Sequence, residues 1–295
     1  MTEPKTITYR GNCHCGNFVF ETTLPELKSA FSCNCSICTK KGYLWIFPGK
    51  GNAKIVKGSV EELAAYEFGP KKLKHLFCPK CATPVAGSSK DDEEADLQLA
   101  LNAHSFQNLV PSALEKVPYD GASRGEPFQP PVHKGALPTP EADEIVYTGS
   151  CHCGAVTIAT ASKPLDETYE GAIECNCSSC ERGNGVYQYA AIWVYRPNKA
   201  VVLSGDEASI GRYQFNRRML SKVFCKICGV IMANQFNELT AEELEALPEM
   251  PRRVYDAQHD YTGVNARVLQ GVDVGRFTTK KVDGLNKIPG EYVNP

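Results

Sequence analysis

Cys33-Asn34-Cys35-Ser36-Ile37-Cys38 is matched further along the chain by Cys175-Asn176-Cys177-Ser178-Ser179-Cys180. Outward from these two stretches the match continues. Upstream, Tyr9-Arg10-Gly11-Asn12-Cys13-His14-Cys15-Gly16 aligns with Tyr147-Thr148-Gly149-Ser150-Cys151-His152-Cys153-Gly154. Downstream, Phe77-Cys78-Pro79-Lys80-Cys81 aligns with Phe224-Cys225-Lys226-Ile227-Cys228, and Phe68 with Phe215. All 14 cysteines fall into this scheme, seven per copy, and none is left over. The second copy carries small insertions before Cys175 and before Gly205, of the kind that surface loops accept. Two copies this large are two domains, not a solenoid.

The copies read as mainly β. Asn17–Thr22 and Ala155–Ala159 follow the two C-x-C-G turns. Leu44–Phe47 and Tyr189–Tyr195 are aromatic and β-rich, and Asn52–Lys57, Lys199–Leu203 and Asp96–Asn102 are further candidates. The run Asp91–Glu94 reads as a solvated turn. Six prolines between Pro118 and Pro140 argue against a packed element there. The expected division is a first zinc-binding β module at 1–120, a Pro/Gly-rich linker at 121–143 and a second module at 144–295. Thr240-x-x-Glu243 is a capping box, so a short helix near 238–248, ended by Pro248, is expected as an insertion in the second copy.

Composition excludes several classes. With 42% hydrophobic residues each half has enough apolar side chain for a core. Basic residues number 32 and acidic 34, a balance that gives no electrostatic footprint for nucleic acid. No long apolar run suggests a membrane span, and the first residues lack the apolar core of a signal peptide. A cytoplasmic location is therefore expected, and there the cysteines are metal ligands rather than disulfides.

Three cysteine elements per copy give seven thiolates, which do not divide into two sets of four. One closed tetrahedral site leaves three sulfurs for a site with an open position. The C-x-C and the distant C-x-x-C suit a staple: Cys13, Cys15, Cys78 and Cys81 in the first copy, Cys151, Cys153, Cys225 and Cys228 in the second. The compact runs then form the open sites, Cys33, Cys35 and Cys38, and Cys175, Cys177 and Cys180. Shared or clustered arrangements are the alternative. Zinc is preferred to iron–sulfur because the runs do not follow ferredoxin spacing. About four zincs per chain are expected, the open two suited to a substrate thiolate as fourth ligand.

Other residues have bland readings. His14 and His152 sit inside turns already rich in sulfur, His75 is matched by Lys222, and His104 by Arg267. Trp45 and Trp193 read as core or pocket wall. Lys40, Lys41, Glu181 and Arg182 follow the compact runs, in loops expected to border the open sites.

The motifs G-x-C-H-C-G, C-x-C-S-x-C and F-C-x-x-C resemble the glutathione-dependent formaldehyde-activating enzyme and centromere protein V family, over about residues 7–120 and 145–285. Leu101–Phe106 with Asp120-Gly121, and Asn265–Asp273 with Asp283-Gly284, resemble its closing segment. The resemblance implies coiled antiparallel sheets and two zincs per module. It also implies glutathione, or a similar thiol, at the open three-cysteine zinc. The activity implied is a carbon–sulfur lyase run in reverse, making S-(hydroxymethyl)glutathione. A non-catalytic, zinc-scaffolded glutathione-binding or protein-interaction module is the alternative. One departure is Ala82, where the family has glycine; the second copy keeps it at Gly229.

Overall fold

The computed structural model describes residues 5–89, 99–184, 192–287 and 292–295. Asp91–Glu94 lies outside them, as do parts of the strands expected at Asp96–Asn102 and Tyr189–Tyr195. The chain divides into two compact units. Unit 1 draws on Met1–Phe128, Ser178–Ala190 and Tyr292–Pro295, and unit 2 on Gln129–Cys177 and Ala191–Glu291.

In unit 1 the strands are β1 (Thr6–Asn12), β2 (Val19–Pro25), β3 (Ser29–Cys33), β4 (Trp45–Ile46), β5 (Ala53–Lys57), β6 (Ala64–Tyr66), β7 (Leu73–Phe77), β8 (Pro84–Ser89), β9 (Leu99–Asn102) and β10 (Glu115–Tyr119). They form a three-stranded sheet, β1-β2-β5, and a seven-stranded sheet, β10-β3-β4-β9-β8-β7-β6. All pairings are antiparallel except β10 with β3, which run parallel with Phe31 opposite Val117 and Cys33 opposite Tyr119. Pro118 is accommodated because β10 is an edge strand. Phe18, Phe20, Leu44, Phe77, Leu101 and Phe106 are buried, with Phe20 and Phe106 edge-to-face at 5.3 Å. Each such ring contributes about 1.5–3 kcal/mol by leaving water.

Unit 2 repeats the plan. Its strands are β11 (Ile145–Ser150), β12 (Val156–Ser162), β13 (Ala172–Cys175), β14 (Ile192–Pro197), β15 (Val201–Gly205), β16 (Ile210–Gln214), β17 (Leu220–Cys225), β18 (Ile231–Phe236), β19 (Tyr261–Asn265) and β20 (Lys280–Val282). They form the sheets β11-β12-β15 and β16-β17-β18-β19-β14-β13-β20. Here β20 runs parallel to β13, as β10 does to β3. The fold is thus mainly β, duplicated strand for strand, with one parallel pairing per copy that the all-antiparallel expectation omits.

The helices depart from the sequence reading in two places. The expected loops after the compact cysteine runs begin with helix: α1 (Ser36–Lys41) in the first copy and α2 (Ser178–Asn184) in the second. In the second copy the capping box is present, with Thr240 and Glu243 bonding each other's backbone N–H, and it opens the expected short helix, α3 (Ala241–Glu245). A longer helix follows, α4 (Glu249–Gln258), with Pro248 at its N-cap. Pro248 therefore ends one helix and opens the next, since the first turn of a helix has no use for the missing N–H. Among the described residues no helix is long and apolar enough to cross a membrane.

Candidate metal centres

Each C-x-C follows a strand of the small sheet, and each C-x-x-C sits in the tight turn of a hairpin in the large sheet. In unit 1 Cys13 N–H donates to Phe18 O at 3.0 Å and Phe18 N–H to Cys13 Sγ at 3.3 Å. Gly16 closes that turn at φ 70°. Across the unit, Ala82 closes the C-x-x-C turn, its N–H donating to Cys78 O at 2.9 Å with φ 57°. That left-handed conformation costs an alanine about 1–2 kcal/mol. Gly229 holds the same place in the second copy without the penalty, at φ 68°.

These turns bring Cys13, Cys15, Cys78 and Cys81 together, and likewise Cys151, Cys153, Cys225 and Cys228. In the first set Cys15 Sγ lies 3.6 Å from Cys13 Sγ and 3.5 Å from Cys78 Sγ; in the second, Cys153 Sγ lies 3.6 Å from both Cys151 and Cys225. A tetrahedron with metal–sulfur bonds of about 2.3 Å has edges of about 3.8 Å. The donor sets therefore fit zinc. Each would fasten the small sheet to the large one. Thr83 backs the first set, accepting from His14 N–H at 3.0 Å and meeting Cys81 Sγ at 3.2 Å. Burial would raise the Cys81 thiol, but hydrogen bonds from Cys13, Cys15, Cys78 and Thr83 pull it well below its ordinary range.

The compact runs gather as two separate triplets, Cys33, Cys35 and Cys38, and Cys175, Cys177 and Cys180. Cys33 ends β3, Cys35 is the N-cap of α1, and Cys38 lies inside the helix, so strand end and helix start deliver three sulfurs to one point. Gly42, at φ 62°, ends α1 with its N–H on Cys38 O. Neither triplet has a fourth His, Cys, Asp or Glu donor gathered with it among the described residues.

The residue between the first two cysteines, which sequence reading passed over, anchors each triplet. Asn34 donates to Asp120 Oδ1 at 2.8 Å and accepts from Ala122 N–H at 2.8 Å. Asn176 does the same with Asp283, at 2.9 Å, and Leu285 N–H, at 2.9 Å. The identical Asn in both copies was the available signal. Gly121 then passes so close that a Cβ on it would stand 2.4 Å from Cys33 Sγ. Gly121→Ala is expected to weaken metal retention at the first triplet at least about tenfold while the fold persists. Metal content after dialysis against a chelator, compared in Cys177→Ser backgrounds, measures it.

Before any metal binds, protons are shared unequally. Hydrogen bonds from the Cys35 and Cys38 thiols, helped by backbone N–H groups of Cys35 and Gly121, hold Cys33 down at about 3. The same bonds raise Cys38 well above its ordinary value, and the bond to Cys33 raises Cys35. At neutral pH Cys33 is thus a thiolate and its two neighbours are thiols. Loading this triplet is expected to release about two protons per ion, so affinity climbs about a hundredfold per pH unit near neutrality. Calorimetry in buffers of different ionisation enthalpy, in a Cys177→Ser chain with both closed sets already filled, reads the proton count.

The histidines are not among the gathered donors. His14 Nε2 lies 3.0 Å from Ser178 Oγ and its ring stacks on Tyr292 at 4.5 Å; His152 is buried. His75 packs among Tyr43, Trp45 and Phe68, and His104 lies in a 3-10 turn N-capped by Asn102, as Arg267 does under Asn265. Two residues expected to border the open sites are instead interior. Lys41 is 1% exposed with its ammonium 4.5 Å from the Phe77 ring centre. Arg182, within unit 1, is buried, donates to Asn294 Oδ1 at 2.5 Å and lies over Tyr292. Lys40 is half-buried and Glu181 keeps partial exposure.

The model of the family described as glutathione-dependent formaldehyde-activating enzyme matches residues 8–114 and again 146–248, together well over half of the chain. The chain belongs to that family. Its duplicated form places one family segment in each copy. Among solved structures, the chain is similar to a Rhodobacter sphaeroides protein at 26% identity, covering 43% of this chain and 92% of that one, with a TM-score of 0.31.

Proposed function

We propose that this glutathione-dependent formaldehyde-activating enzyme family member is a zinc-dependent enzyme that makes or breaks a carbon–sulfur bond in glutathione adducts. The observation carrying the reading is the pair of three-sulfur clusters, each without a fourth protein donor among the described residues, beside two complete sets of four. Zinc at a triplet would supply a site that holds an incoming thiol as thiolate. The chain's own residues do the rest. Asn34 and Asn176 hold the two triplets against β10 and β20. In the synthetic direction the glutathione sulfur adds to a carbonyl carbon, the C–S bond forms, and the thiol proton ends on the former carbonyl oxygen. Cleavage is the reverse.

The two copies differ on the sheet that carries the triplet. Phe31 and Phe47 stand on the sheet face that carries Cys33 and Trp45, 41% and 56% exposed and edge-to-face at 5.3 Å. Register puts Ile173 and Tyr195 in their places in the second copy. This supports a larger, apolar carbon partner at the first site than at the second. The test is metal content together with a turnover screen of glutathione with formaldehyde and with bulkier aldehydes. About four zincs per chain and turnover of at least one adduct are expected. Two zincs per chain, or binding of glutathione without turnover of any adduct, would sink the reading and favour a scaffold or carrier.

A further inference from the structure

Trp45 and Trp193 occupy the same place in the two copies. Trp45 pairs with Phe31 and Asn102, and Trp193 with Ile173 and Asn265. Both are buried. Their indole N–H groups nevertheless differ. Trp45 Nε1 donates to Cys38 Sγ at 3.3 Å. Trp193 Nε1 has no hydrogen-bond partner among the described residues.

The neighbouring strand explains the difference. Trp45 is stacked on Tyr43 at 4.2 Å, and its far edge approaches Gly87, where a Cβ would stand 3.2 Å from the ring. The bare glycine gives the ring room to sit with its N–H toward the triplet. Register places Asn234, buried, in the position of Gly87 in the second copy, and Lys222 in that of His75. The Lys222 ammonium lies 4.4 Å from the centre of the Trp193 ring.

We propose that Trp45 is a positioning residue of the first triplet: its N–H orients the Cys38 sulfur and draws charge from it, a contact that Trp193 does not make among the described residues. A sulfur that accepts an N–H gives less charge to a metal. The N–H therefore makes the first centre more electrophilic and protects it against loss of Cys38. Outer contacts of this kind typically alter metal affinity 10–100-fold. The inference rests on the reading of the triplets as metal centres.

Cobalt(II) tests it, because its sulfur-to-metal absorption bands report the charge on the sulfurs. The closed sets are kept in zinc. The first triplet is viewed in a Cys177→Ser chain and the second in a Cys35→Ser chain. Trp45→Phe is expected to move the first triplet's band to lower energy and to weaken cobalt binding about tenfold. Trp193→Phe is expected to change neither. Replacing Trp45 with β-(3-benzothienyl)alanine keeps the ring shape without the N–H and is expected to reproduce the Trp45→Phe shift. Gly87→Asn, which crowds the ring, is expected to move the band in the same direction. Retention of the original band and affinity with the benzothienyl residue, or equal shifts at both triplets, would overturn the proposal alone. Absence of sulfur-to-cobalt bands from both triplets of the unaltered chain would overturn the metal-centre reading and this proposal with it.

Discussion

Cys151→Ser is expected to unfold the second copy and leave the first folded. Cys151 is fully buried, its N–H donates to Val156 O at 2.8 Å, and its sulfur accepts Val156 N–H at 3.3 Å. It therefore holds the turn that leads from β11 into β12, and its set of four ties this small sheet to the β17–β18 hairpin. A structural zinc contributes about 10–16 kcal/mol of binding free energy, which is folding free energy when the unfolded chain cannot assemble the site. A domain of this size has a net stability of only about 5–15 kcal/mol. Serine leaves the sulfurs of Cys153, Cys225 and Cys228 without the fourth, and the loss is comparable to the whole stability. Calorimetry of the variant is expected to lose one of two unfolding transitions. Cys177→Ser, in a triplet that bridges no sheets, is expected to keep both. Equal destabilisation by the two substitutions would refute the division into closed and open sets.

Each cysteine pair was legible because it lies in one turn, and a turn needs only its own residues to be read; which pairs gather is decided by the sheets that bring the turns together. The same holds for the strands after each C-x-C, where apolar and β-branched residues run unbroken through Val156–Ala161. The triplet helices were not legible for the opposite reason. Ser36-Ile37-Cys38-Thr39-Lys40-Lys41 is too short to nucleate and contains two β-branched residues. It is helical because Thr39 N–H reaches Cys35 O at 3.0 Å and Gly42 closes the end. The parallel pairing of β10 with β3 joins strands far apart in the chain, and the two-residue β4 offers no period to read. Helix α4 was hidden by Pro248 and Pro251, which look like terminators and stand at its cap and first turn. Lys41 and Arg182 looked like pocket residues because they follow the compact cysteine runs in stretches read as loops; burial under aromatic rings is a tertiary fact.

The double variant Cys35→Ser, Cys177→Ser is expected to lose turnover of glutathione adducts altogether while remaining folded. Cys35 is the middle sulfur of its triplet and the N-cap of α1, yet no side-chain cap bond depends on it. Serine fits the same backbone and is itself a preferred N-cap, so α1 survives the exchange. The sulfur ligand, however, is gone, and two remaining thiolates do not hold zinc in competition with the complete sets of four. With no metal to hold the glutathione sulfur as thiolate, the reaction falls back on free thiol in water. A drop of about 10²–10³-fold is expected, the scale on which loss of a single stabilising group is felt in catalysis. Each single variant is expected to retain the other site's share. Because the exposed pair Phe31 and Phe47 has Ile173 and Tyr195 in its place in the second copy, Cys35→Ser is expected to lose bulky apolar aldehydes selectively and Cys177→Ser to spare them. Metal content must fall by one equivalent in each single variant and by two in the double, with both unfolding transitions intact. Full turnover by the folded double variant would remove the triplets from the chemistry.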